Sequence, residues 1–231
     1  MSGKIYLVRH GQTMFNQLGK VQGWADSPLT QSGLDDAQAC GIGLRDITFM
    51  QAYSSDLKRA EVTRDIIVKM NGSKNIEVYA DERIREMCFG DFEGLLETTR
   101  KEGCSNVLLG HVDIPQIQSM IQKRIIGPKD MLNASCSLDT SGYAEDYDAV
   151  MKRSKSFIDE LIEIINTKGG NILVVTHGVT LSTIIDAYPG KKLNRVADLK
   201  NCCVTEIAVD EGTVEITNVA SMEYVNNARG I

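Results

Sequence analysis

Two short stretches constrain this chain more than anything else in it: "YLVRHG" at Tyr6–Gly11 and "ILVVTHG" at Ile172–Gly178. In each, an apolar run rich in β-branched residues stops on a histidine followed by glycine. Such short runs read as strands buried on both faces, the kind found at the centre of a parallel sheet flanked by helices. Ligands in open α/β sheets bind at the carboxyl edge of the strands. Two central parallel strands would therefore deliver His10 and His177 to one edge, in a chain that has only three histidines.

The intervening segments supply the rest of an α/β pattern. "TQSGLDDAQACGIGL" keeps Leu34, Ala37, Gly41 and Leu44 at helical spacing, with Thr30 or Ser32 as the cap and Asp35 in the first turn. "QAYSS" (51–55) and "IEVYA" (76–80) read as strands, and "DLKRAEVTRDIIVKM" between them as a helix starting at Ser55 or Asp56. A long amphipathic helix follows on Tyr147, Val150, Met151, Phe157, Leu161, Ile162 and Ile165, stopped by Gly169 and Gly170. "HGVTLSTIIDAY" turns into another helix, and "CVTEIAVDEGTVEITNV" is a hairpin around Asp210–Gly212. From Glu97 onward glycines, serines and prolines break every long period, so residues 97–143 are expected to be an irregular cap insertion. The pattern predicts a single domain, residues 1–231: a three-layer α/β/α sandwich with a mostly parallel central sheet, an antiparallel edge hairpin and that cap.

A length of 231 residues with 42% hydrophobic residues suits one large core. The net charge of −6 argues against nucleic acid as a partner, yet leaves room for a small anion in a locally basic pocket. Six cysteines, at 40, 88, 104, 136, 202 and 203, show neither a C-x-x-C pair nor zinc-like spacing. Reduced thiols, no leader-like N-terminus and no apolar run long enough for a membrane span together predict a cytoplasmic protein with no membrane partner. Homo-oligomerisation stays open at this level.

Two more segments carry charge where helix or surface energetics alone would not ask for it. Arg59, in "YSSDLKRAEVT", stands in a first helical turn, where a cation opposes the helix dipole by a few tenths of a kcal/mol, so an anionic partner is expected. Glu86 lies in "RIREMCFGDFEG" between Arg83, Arg85 and a glycine, a setting that by itself reads as a surface ion pair.

"LVRHGQT" followed by Asn16, "QGWADSPLT", "YSSDLKRAEVT", "REMCFGDFEG" and "VVTHG", in this order and spacing, resemble the histidine phosphatase superfamily, which includes phosphoglycerate mutases and many phosphatases. The resemblance runs from Ile5 to Tyr188 and is poor in the cap. It implies that His10 is a nucleophile forming a phosphohistidine, that Arg9 and Arg59 clamp the phosphoryl oxygens, and that His177 donates a further hydrogen bond. Asn16, with backbone at Gly11, Gln22, Gly23 and Gly178, would complete the cradle, and Glu86 would act as general acid and then base. It implies a small phosphorylated substrate and needs neither metal nor cofactor, because the arginines supply the positive charge.

Within that family, Phe89, Glu97 and Val179 stand where mutases carry a tyrosine, a lysine and an asparagine, which favours a phosphatase; a bisphosphoglycerate-dependent mutase and a non-catalytic phosphate-binding module are the alternatives. Glu97 is expected to repel an anionic substrate. Arg100, Lys101, Lys123, Arg124 and Lys129 in the cap are candidates for holding a second acidic group, "SGYAED" replaces the phosphatases' Gly-Glu-Ser segment, and His111 receives no role.

Overall fold

A computed structural model describes residues 1–110, 119, 127–193 and 199–230. In chain order the first half forms β1 (Ser2–Arg9), α1 (Met14–Gln17), α2 (Gln31–Gly43), β2 (Phe49–Ser54), α3 (Lys58–Asn71) and β3 (Glu77–Ala80). After two 3₁₀ turns come α4 (Glu97–Leu109), α5 (Pro128–Ser137), α6 (Tyr147–Lys168), β4 (Asn171–Thr176), α7 (Gly178–Ala187), β5 (Val204–Asp210), β6 (Thr213–Ser221) and α8 (Glu223–Arg229). The strands make one sheet in the order β3-β2-β4-β1-β5-β6. The first four run parallel, and β5 and β6 close the other edge as an antiparallel hairpin.

Strand periodicity decides the layers. Ile5, Leu7, Ile172 and Val174 point to one face and pack on Phe157, Leu161 and Ile165 of α6 and Ile184 of α7. Tyr6, Val8, Leu173 and Val175 point to the other, against Ala37 and Cys40 of α2, Ile67 of α3 and Val225 of α8. Each such side chain contributes about 1.5–3 kcal/mol by leaving water, so the continuous apolar runs of β1 and β4 suit the two central positions they occupy. Their register pairs Arg9 with Thr176, so both chains leave the sheet at the same level and His10 and His177 emerge side by side.

Three local expectations need correcting. Thr30 caps α2 through the N–H of Gly33 (3.1 Å), but Asp35 falls beyond its first turn. Helix α3 starts at Lys58 after an uncapped Leu57, because Ser55 is engaged with His177 and Asp56 with Arg85. The segment expected to be irregular contains α4 and α5. Helix α4 lacks an apolar stripe; it is supported by Glu97 paired with Arg100 and Lys101 at i+3 and i+4 and buries Arg100, Cys104 and Ser105. Helix α5 starts with Pro128 at its first position, and Cys104, Met131 and Ala134 join the two helices in a small apolar cluster. His111, Lys123 and Arg124 lie outside the described residues, among which no helix is long and apolar enough to cross a membrane.

Candidate active site

The end of β1 is braced from the far end of the chain. Asn201 donates from Nδ2 to the His10 carbonyl (2.9 Å) and to Asn16 Oδ1 (3.2 Å), while Cys202 N and Cys203 O bond the backbone of Arg9. Cys202 sits at φ 59 to make that turn. The His10 ring is buried, and its Nδ1 lies 2.8 Å from the carbonyl oxygen of Gly11. A carbonyl only accepts, so Nδ1 carries the proton and Nε2 keeps the lone pair. Burial, then Arg59 and Arg9, hold the imidazole well below its ordinary pKa, so the lone pair is available across the neutral range.

Arg59 finds its anionic partner inside the protein. Nη1 donates to Asp26 Oδ1 (3.0 Å) and the Ala25 carbonyl (3.1 Å), Nη2 donates to the Gly23 carbonyl (2.6 Å), and Asp26 Oδ2 also accepts the Arg59 N–H (3.4 Å). Asp26 thus offsets the unfavourable dipole position that the sequence exposes. Of the five guanidinium N–H groups, three are used and Nε–H with one Nη2–H remain. The loop that grips Arg59 is itself shaped by Glu93, whose carboxylate accepts from the N–H groups of Gly23, Trp24, Ala25 and Phe89 at 2.9–3.0 Å.

The His177 ring lies 5.1 Å from that of His10, centroid to centroid. It too is held well below its ordinary pKa, by burial first and then by Arg59. Glu86 is no surface ion pair: Arg83 is taken by Asp81 and Glu160, Arg85 by Asp56, and the Glu86 side chain is buried. Its Oε1 accepts from the N–H of Met87 (2.9 Å) and Thr180 (3.1 Å), and its Oε2 from Val179 (3.0 Å), which fixes the carboxylate at the start of α7. Arg153 holds the carbonyls of Arg83, Arg85 and Glu86 and pairs with Glu145 in the "SGYAED" segment; Trp24 Nε1 also donates to the Glu86 carbonyl. A Cβ on Gly178 would lie 3.5 Å from Arg9 Nε and 3.7 Å from Glu86 Oε2, so this glycine leaves open the space between a cation and the acid.

The remaining site candidates divide. Asn16 Oδ1 accepts from Thr13 N and Asn201, which leaves Nδ2 as its donating end. The Gln22 side chain accepts from Thr13 and donates to Ser27, bonds that do not involve the backbone expected in the cradle. Two backbone amides expected in the cradle have other partners: Gly11 N donates to Thr63 Oγ1 (3.0 Å) and Gly23 N to Glu93. Both glycines therefore act as scaffold, with Gly11 O setting the His10 proton and Gly23 O holding Arg59. Asn201, Asp26, Glu93 and the Glu145–Arg153 pair receive no site role from the sequence, and Ser55 is read there only as a helix start.

Arg9 Nε, Arg59 Nε and His177 Nδ1 are buried without a hydrogen-bond partner among the described residues. Buried orphan polar atoms are rare and ask for a ligand or water. These three lie on Arg9, which precedes His10, and on Arg59 and His177, whose charge and ring border it. Among the described residues no cluster of His, Cys, Asp and Glu is disposed to hold a metal. A cavity of about 450 Å³ backs onto Arg59 between Pro28, Leu34, Lys58 and Val62, but contains none of the histidines. Burial raises the Cys202 thiol and pushes that of Cys203 up to about 11, which suppresses thiolate chemistry in this pair.

The comparisons agree with this geometry. The histidine phosphatase superfamily (branch 1) model matches residues 5–109 and 109–221. A 2,3-bisphosphoglycerate-dependent phosphoglycerate mutase 2 from Bacteroides thetaiotaomicron is 30% identical over 84% of this chain and 79% of its own length. The crystal structure of a phosphoglycerate mutase from Bacillus anthracis superposes with a TM-score of 0.88 at 31% identity, over 99% of this chain and 97% of that one. A phosphoserine phosphatase from Entamoeba histolytica, at 23% identity, TM-score 0.65 and coverage of 96% and 99%, shares the fold. The chain belongs to the histidine phosphatase superfamily, branch 1.

Proposed function

We propose that the protein is a metal-independent phosphomonoester hydrolase that works through a phosphohistidine on His10. The observation that carries this reading is the set of three orphan buried nitrogens, Arg9 Nε, Arg59 Nε and His177 Nδ1, beside an imidazole whose Nε2 lone pair is free. In the first step Nε2 attacks phosphorus, the P–O ester bond breaks, and Glu86 gives its proton to the leaving alkoxide. In the second, water attacks phosphorus, its proton passes to Glu86, and the P–N bond breaks to release phosphate. Asn16 Nδ2 and the free arginine N–H groups stabilise the equatorial oxygens.

Hydrolysis rather than phosphoryl return is favoured by Phe89, buried beneath the Arg100 guanidinium at 5.2 Å, and by the apolar Val179, where mutases carry polar groups. Glu97 drops out of that argument, since its charge is spent on Arg100 and Lys101. Residues 97–143, which include α4 and α5 and are expected from the sequence to form a cap, are the part of the chain we assign to reading the leaving group. Likeness to the Bacillus anthracis mutase supports a second reading, phosphoglycerate mutase. One preparation assayed for both activities decides: phosphate release from several phosphomonoesters, with an acid-labile phosphoenzyme lost in His10→Ala, is expected. Bisphosphoglycerate-dependent interconversion of phosphoglycerates exceeding phosphate release tenfold, a margin of about 1.4 kcal/mol in barrier, would favour the mutase.

A further inference from the structure

We infer that Ser55 is a positioning residue that places the proton of His177 on Nδ1, the nitrogen left for the phosphoryl group. The role assigned to that nitrogen rests on the proposed function; the proton's location does not. Ser55 directly follows β2, whose Ser54 is in register with Val175 of β4, and its N–H donates to the Val175 carbonyl (3.2 Å). The sheet thereby sets its hydroxyl beside the residue that ends β4, with Oγ 2.6 Å from His177 Nε2. The neighbouring Ser54 is used differently, accepting from Arg64 (2.7 Å).

The count of donors decides which atom carries the proton. Ser55 Oγ already accepts the Leu57 N–H (3.4 Å), and both Ser55 and His177 are fully buried. If the hydroxyl donates to Nε2, its proton is satisfied and a neutral His177 has its own N–H at Nδ1. If Nε2–H instead donated to Oγ, the hydroxyl proton would be left without an acceptor, and Nδ1 would turn a lone pair toward the site. That second arrangement adds a buried orphan donor and offers the anion a repelling group. Nδ1 is itself an orphan in the substrate-free protein, as an N–H reserved for a phosphoryl oxygen would be. The sequence hides this link, because Ser55 precedes a helix and looks like its cap.

Long-range ¹H–¹⁵N correlation spectra of the histidine side chains test it, with His177 assigned by its loss in His177→Asn. In the wild type Nδ1 should show the shift of a protonated ring nitrogen and Nε2 that of an unprotonated one. Ser55→Ala should mix or invert this pattern and lower kcat on alkyl phosphates roughly tenfold with KM within about twofold, because the donor remains but is no longer set. A wild-type His177 protonated at Nε2 overturns the proposal whatever Ser55→Ala does. So does a Ser55→Ala protein whose His177 keeps the wild-type pattern. Failure of the hydrolase reading looks different: the paired assay would then turn to mutase, or His10→Ala would stay active, with the His177 spectrum unmoved.

Discussion

Replacing Glu93 by glutamine should loosen the Arg59 clamp without changing any group that meets substrate. Each carboxylate oxygen accepts two backbone N–H groups: Oε1 from Trp24 and Phe89, Oε2 from Gly23 and Ala25. An amide keeps one of these oxygens and turns an NH₂ toward the other two donors, so two bonds are lost. Hydrogen bonds to charged groups contribute about 1.5–3 kcal/mol each, and water recovers part of this at a half-buried loop, so about 2–4 kcal/mol of stability should go. The carbonyls of Gly23 and Ala25 hold two of the three Arg59 bonds that this loop and Asp26 supply. A shift of about 1 Å there should cost kcat/KM roughly 10- to 100-fold. Denaturant unfolding measures the first quantity and turnover of p-nitrophenyl phosphate the second. Orthovanadate, which mimics the five-coordinate phosphorus, should lose more affinity than phosphate. Stability within about 0.5 kcal/mol of wild type together with unchanged vanadate affinity would refute the reasoning.

Arg59→Lys should lower kcat at least 100-fold despite keeping the charge, since an ammonium cannot hold Gly23, Ala25 and Asp26 and still offer a two-pronged grip; steady-state kinetics on aryl phosphates measure it, and a loss under about fivefold would count against the clamp. Stability should fall as pH falls through about 6.5. His10 and His177 are kept neutral in the fold, whereas both take up protons when unfolded, so their contribution is full above that value and is lost below it at up to about 1.4 kcal/mol per pH unit for each. Denaturation midpoints from pH 8 to 5 in wild type and His177→Gln should differ in slope, and identical profiles would exclude a buried neutral His177.

What the sequence made legible was what depends on side-chain pattern. The runs of β1 and β4 alternate between two cores, so their apolar continuity gave their central place, and the two His-Gly steps marked the edge where His10 and His177 meet. Glu93, Asn201 and Arg153 were not legible because they act on backbone amides and carbonyls, which leave no trace in residue type; Asn201 also lies 191 residues from the carbonyl it holds. Helix α4 escaped notice because charge pairs rather than apolar spacing support it, and its i,i+3 pair was the available signal. The same pair shows why a charge cannot be read alone. Glu97 looks repellent on paper and is neutralised by Arg100 in space.

Charge balance ties the site together. Arg59 is matched by Asp26, whereas Arg9 forms no ion pair among the described residues; its Nη1 donates to the Leu199 carbonyl. Burial lowers the Arg9 pKa, opposed by the charge of Glu86. With Glu86 protonated, as the proposed first step requires, Arg9 would be left as an unmatched guanidinium for an incoming phosphoryl dianion to neutralise. A third cation on His177 would bind the released phosphate as firmly as the transition state, and such uniform binding does nothing for the chemical step. A neutral His177 supplies an oriented donor without that penalty. After burial itself, Arg59 and Arg9 are also what keep the His10 imidazole unprotonated, so under the proposed mechanism recruitment of substrate and nucleophilicity of His10 would rest on the same pair of arginines.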